Sequence, residues 1–121
     1  PVARRERPKR AANLTGTWLR DQDQLAFKLV DDGRTVTGEV TGSEDYVRYE
    51  IALDWKGENR LTGFAVLKEN LSPCQFETTV AWAVEVVDGD KVKVQAEEVG
   101  WNDACQETDR APVSHVLARK K

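Results

Sequence analysis

The stretch Tyr46-Val47-Arg48-Tyr49-Glu50-Ile51-Ala52-Leu53-Asp54-Trp55, followed by Lys56-Gly57-Glu58-Asn59 and then Leu61-Thr62-Gly63-Phe64-Ala65-Val66-Leu67, decides the fold. Val47, Tyr49, Ile51, Leu53 and Trp55 fall on one side of an extended chain, while Tyr46, Arg48, Glu50, Ala52 and Asp54 fall on the other. A period of two over this length describes a β-strand with one wet face. The polar, glycine-bearing tetrapeptide then reverses the chain into a second strand with Leu61, Gly63, Ala65 and Leu67 on the inner side.

The same reading extends outward from this hairpin. Residues 14–20 place Leu14, Gly16 and Trp18 together, and residues 25–30 place Leu25, Phe27 and Leu29 together. Residues 35–41 put Val36, Gly38 and Val40 inward. Val80, Trp82, Val84 and Val86 mark a sixth strand, and Val92, Val94 and Ala96 a seventh. Residues 113–119 form an eighth, whose inward set is either Val113, His115 and Leu117 or Val116 and Ala118. Tight turns at Asp31-Asp32-Gly33-Arg34, Lys56-Gly57-Glu58-Asn59 and Asp88-Gly89-Asp90 alternate with looser connections. Alternate loops of an up-and-down barrel emerge at opposite ends. The chain is therefore expected to be all-β, an eight-stranded antiparallel barrel with a tightly turned bottom and a looser mouth; a two-sheet sandwich is the alternative. Thr15-Gly16, Thr37-Gly38 and Thr62-Gly63 each place glycine on the apolar face, where it would coil the sheet and relieve crowding near the bottom.

A chain of 121 residues is one domain. Residues 1–13 lack an apolar period and read as a basic arm, residues 14–119 as the barrel, and residues 120–121 as a basic tail. Of the net charge of −3, the first ten residues contribute +4 and the last three +3, which leaves −10 for residues 11–118. An acidic body argues against nucleic acid as a partner, since phosphate recognition needs a basic face. No apolar run reaches the roughly 18 residues of a membrane-spanning helix. With no methionine and Pro1 at its start, the sequence reads as a processed product or an excised piece. Asn13-Leu14-Thr15 and Asn70-Leu71-Ser72 match glycosylation acceptor tripeptides, the second weakened by Pro73.

Cys74 and Cys105 fall in the two mouth-side connections after the fifth and seventh strands. They are expected to form a disulfide, which closes a loop of about 32 residues and contributes roughly 3–4 kcal/mol. That bond implies an oxidising, secreted or periplasmic setting. Two isolated cysteines do not make a zinc site, and no calcium-loop spacing occurs, so neither metal nor cofactor is expected.

Asn13-Leu14-Thr15-Gly16-Thr17-Trp18 resembles the opening of avidin-type proteins, and its Gly-x-Trp resembles the N-terminal lipocalin signature. Both belong to the calycin group of up-and-down barrels. The likeness covers residues 13–40. It implies a ligand-binding interior and a cation from the last strand, here Arg119, packed over Trp18. The chain departs from the avidin pattern at Leu19-Arg20-Asp21-Gln22-Asp23-Gln24, where a large cation and two acids do not suit a neutral ureido ring.

The expected function is that of a non-enzymatic, exported binding barrel. A small apolar or amphipathic molecule would sit among Phe27, Tyr49, Ile51, Ala65, Trp82 and Ala96, with His115 as a polar handle if it faces inward. The alternative is an interaction or inhibitor module with a solid barrel. It would meet a basic protein through acidic mouth loops, with Asp21, Asp23, Glu44, Asp45 and Trp101 in contact. Glu69, Asp103, Glu107 and Asp109 add to that acidic rim. Self-association is left open. Catalysis is not expected: no Ser/His/Asp or metal-ligand cluster is present, and His115 has no orienting partner in the sequence pattern.

Overall fold

The computed structural model describes residues 13–41, 47–71 and 73–120. Eight antiparallel strands follow one another around a closed barrel: β1 Gly16–Arg20, β2 Ala26–Asp31, β3 Thr35–Thr41, β4 Val47–Trp55, β5 Arg60–Leu71, β6 Cys74–Asp88, β7 Lys91–Trp101 and β8 Glu107–Arg119. The ring shuts where β1 meets β8, through Trp18–Arg119, Leu19–Ala118 and Arg20–Leu117. Closure removes the two free edges that an open sheet would present. Among the described residues no helix is long and apolar enough to cross a membrane.

The inward sets expected for the first seven strands hold their places among the residues whose side chains are described. Trp18, Phe27, Val36, Ile51, Leu53, Leu61, Ala65, Val84, Val92 and Val94 belong to one buried core. In β8 the inward set is Val113, His115, Leu117 and Arg119, with Leu117 buried and Ser114 and Ala118 exposed. The sequence left this choice open because both faces of the strand carry aliphatic residues. The seam with β1 decides it, since Arg119 must stand opposite Trp18.

The upper strands run further than the apolar pattern implies. β6 begins at Cys74 rather than near Val80, β7 continues to Trp101 rather than stopping near Ala96, and β8 begins at Glu107 rather than at Val113. Cys74, Phe76 and Thr78 continue the inward face of β6, but the threonine breaks the apolar signal. Pro112 interrupts β8; it lies opposite Glu97 of β7, above the short β1 seam, so its missing N–H costs no second ladder. Two long hairpins, β5–β6 and β7–β8, therefore rise above the rest of the barrel. The β6–β7 ladder spans only Ala83–Gln95 down to Asp88–Lys91, and above it each hairpin stands with its own partner strand.

Gly63 faces Leu53 across the β4–β5 ladder, and a Cβ there would overlap the Ala52 carbonyl oxygen. At Gly16 the backbone takes φ +142°, and an added Cβ would stand 3.0 Å from Arg119 Nη1. That space lets the Arg119 guanidinium lie 4.5 Å from the Trp18 ring centroid, as the calycin likeness implies. The guanidinium also donates from Nη1 to the Thr15 carbonyl (2.8 Å), from Nη2 to the Asn13 carbonyl (2.8 Å) and from Nε to the Gly89 carbonyl (3.1 Å). Arg119→Lys keeps the charge but loses this fork. It is expected to lower the unfolding free energy by about 1–2 kcal/mol in a urea titration.

Candidate functional site

Solvent exposure of the inward-facing residues is graded along the barrel. At the bottom Trp18, Val36 and Leu61 are fully buried, and Trp18 Nε1 donates to the Leu14 carbonyl at 2.9 Å. Toward the mouth, Tyr49, Ala96, Val113 and His115 face inward yet keep part of their surface in water. The barrel is thus sealed below and partly open to water above.

Three aromatic rings form a layer beneath this end. Phe27 and Tyr49 stack with centroids 5.5 Å apart, and Trp82 tilts against both at 6.0 and 6.4 Å. Of the residues expected to line a ligand, Phe27, Ile51, Ala65 and Trp82 lie buried in the core. Tyr49, Ala96 and His115 are partly exposed above them. The structure brings these residues together as the inward parity requires.

Arg20, the departure from the avidin pattern, supplies the charge of this layer. It is the inward-facing end of β1, and its Cζ sits 5.7 Å from the Phe27 centroid and 5.9 Å from that of Tyr49. Its fork grips Asp23, with Nε to Oδ1 at 2.9 Å and Nη2 to Oδ2 at 2.6 Å. Burial opposes its charge, but hydrogen bonds to Asp23 and Tyr49 outweigh that and raise its pKa. The same hydrogen bond from Arg20 holds the Asp23 carboxyl below its ordinary value. His115 Nδ1 lies 3.1 Å from Gln22 Oε1 in the β1–β2 loop. Burial first, then the nearby Arg20 charge, lowers its pKa and favours the neutral imidazole. His115 therefore has a partner that its sequence position did not disclose.

The expected protein-contact residues are dispersed. Asp23 is committed to Arg20, while Asp21 exchanges two bonds with Val116: its N–H donates to the Val116 carbonyl at 2.9 Å, and its Oδ1 accepts from the Val116 N–H at 3.3 Å. Glu44 and Asp45 lie outside the described residues. Trp101 is not in a polar loop but ends β7, half-buried, with its ring stacked 4.1 Å from Phe76. Its Nε1 is buried with no hydrogen-bond partner.

The disulfide joins Cys74 to Cys105 with a Cα–Cα distance of 5.5 Å, so both sulfurs do lie at one rim. Cys74 is the first residue of β6 rather than a loop residue. Beside this bond, Arg110 straps β8 to β6. It donates to the Thr79 carbonyl (3.0 Å) and Thr78 Oγ1 (2.8 Å), and it also holds Glu107 and Glu97. Glu107 thus belongs to a clamp rather than to a free acidic rim. Among the described residues no group of three or more His, Cys, Asp or Glu could hold a metal ion. No family model, curated protein or solved structure matches the chain.

Proposed function

We propose that this barrel is a non-enzymatic, exported binding protein that takes a small apolar or amphipathic molecule through its mouth. The observation that carries this reading is the partly wet mouth end, where Tyr49, Ala96, Val113 and His115 face inward yet keep surface in water above the Phe27–Tyr49–Trp82 layer, beside the Arg20 cation. An apolar body would replace water over Tyr49 and against Ala96 and Val113. A polar end would meet Arg20, Gln22 or His115, which suits the usual makeup of small-molecule sites. The disulfide is compatible with export, and the calycin-like barrel supports an interior site as an analogy of architecture.

The test is a fluorescence titration with 1-anilinonaphthalene-8-sulfonate, an apolar probe with one anionic group. Saturable binding at one site per chain is expected. Ala96→Trp should occupy the mouth end and weaken binding by about tenfold or more, equivalent to 1.4 kcal/mol, with the folded barrel verified by circular dichroism. Non-saturable binding, or binding indifferent to Ala96→Trp, would overturn the reading.

A further inference from the structure

The outer face of β5 and β6 carries a regular arrangement of charge and size. Alternation turns Arg60, Thr62, Phe64, Val66 and Lys68 of β5 to this face, and with them Glu85, Ala83, Ala81, Thr79 and Glu77 of β6. The ladder sets these residues opposite one another in that order, from Arg60 with Glu85 to Lys68 with Glu77. Each outer strip is therefore uncharged along its middle and charged at both ends, cationic on β5 and anionic on β6. None of Arg60, Glu77 and Glu85 has an ion pair among the described residues, and Lys68 shares an exposed one with Glu50.

Phe64 stands at the centre of this face with 60% of its surface exposed. One exposed aromatic is ordinary on a domain surface. Its setting is not: the residues directly opposite it are Ala52 on β4 and Ala81 on β6, each with only a methyl group. The ring thus rises above its neighbours with a shallow notch on either side. A matching partner must bring a projecting ring, a notch, and cations and acids at the same spacing. This face itself meets that description.

We propose that a second copy of the chain packs here, β5 of each copy lying over β6 of the other about a two-fold axis parallel to the strands and midway between them. The rotation preserves level along the strands, so each β5 residue meets the partner copy's version of the β6 residue opposite it in its own sheet. Phe64 fills the notch over Ala81 of the partner copy, Arg60 meets its Glu85, and Lys68 meets its Glu77. Packed sheets cross within about 30°, and the long side chains at the ends span the resulting offset. The two rival placements fail on charge. Centred on β5, the axis sets Arg60 against Arg60 and Lys68 against Lys68. Moved beside β4, where Ala52 offers the other notch, it sets Lys68 against Arg48 and Arg60 against Lys56, whose N–H bonds the Arg60 carbonyl. Residues 60–68 span only about 27 Å of a convex wall, so the dimer belongs to the weak, reversible class. No inward-facing residue takes part, and the interior site is unaffected.

The experiment is sedimentation velocity on the whole chain from about 5 to 500 µM protein. A reversible monomer–dimer equilibrium is expected, weakening several-fold between about 50 and 500 mM salt. Phe64→Ser should weaken it by about tenfold or more. Glu77→Lys with Glu85→Lys makes both strips cationic, and Arg60→Glu with Lys68→Glu makes both anionic. Each double variant alone should stay monomeric, and an equimolar mixture of the two should form a heterodimer. Circular dichroism checks that all three variants keep the barrel. A wild-type chain that stays monomeric at the highest concentration, a dimer indifferent to Phe64→Ser, or a mixture that fails to associate would overturn the proposal.

Discussion

Asp31→Ala is expected to lower the unfolding free energy by about 3 kcal/mol or more, a large share of the 5–15 kcal/mol that stabilises an ordinary domain. Asp31 is the buried polar residue of the barrel bottom, with 7% of its surface exposed. Its Oδ2 accepts from the Leu14 N–H at 2.9 Å, and its Oδ1 accepts from the Gly33 N–H at 2.9 Å and from Trp55 Nε1 at 3.0 Å. Its own N–H donates to Thr15 Oγ1 at 2.9 Å. One side chain therefore ties the strand entry, the β2–β3 turn and the end of β4 into a single plug. Alanine would remove the acceptor of the buried Leu14 N–H and leave a void beside the indole. Asparagine can offer one acceptor oxygen but not two, so Asp31→Asn should fall between wild type and alanine. Urea unfolding followed by circular dichroism measures all three. An alanine variant within about 1 kcal/mol of wild type would show that the plug relaxes around the loss.

Removing the disulfide should have an effect of similar size. Cys74→Ala with Cys105→Ala is expected to cost about 3–4 kcal/mol on the chain-entropy view, the two residues being 31 apart in sequence. The loss should also be uneven. Below Ala83–Gln95 the β6–β7 ladder holds the wall by backbone hydrogen bonds. Above it, the two hairpins are joined by the disulfide, the Phe76–Trp101 stack and the Arg110 strap. Hydrogen exchange should rise first in residues 74–80 and 97–110 while residues 83–95 stay protected. Uniform exchange across the wall would contradict this division.

These two features show where the sequence speaks and where it is silent. The strict alternation from Val47 to Trp55 declares a half-wet strand, and the acid-glycine turns declare three reversals, because both signals are local. Cys74 and Cys105 could be paired once barrel topology assigned their connections to one end. Asp31 reads as an ordinary turn residue in Asp31-Asp32-Gly33-Arg34; nothing in one dimension says that its carboxyl turns in to meet an indole 24 positions away. Arg110 is silent for the same reason, its acceptors on β6 lying about 30 residues upstream. Within the site, the inward face of Tyr49, Trp82 and Ala96 was legible from parity. The role of Arg20 was not. Alternation places it on the inner face, but a charge there becomes informative only when its partner is known.

At the sealed pole the Arg119 side chain, at the end of β8, reaches back to the Asn13 carbonyl just before β1, 2.8 Å away. The guanidinium that closes this seam also covers the Trp18 indole, so solutes should reach that ring only after β8 has peeled from β1.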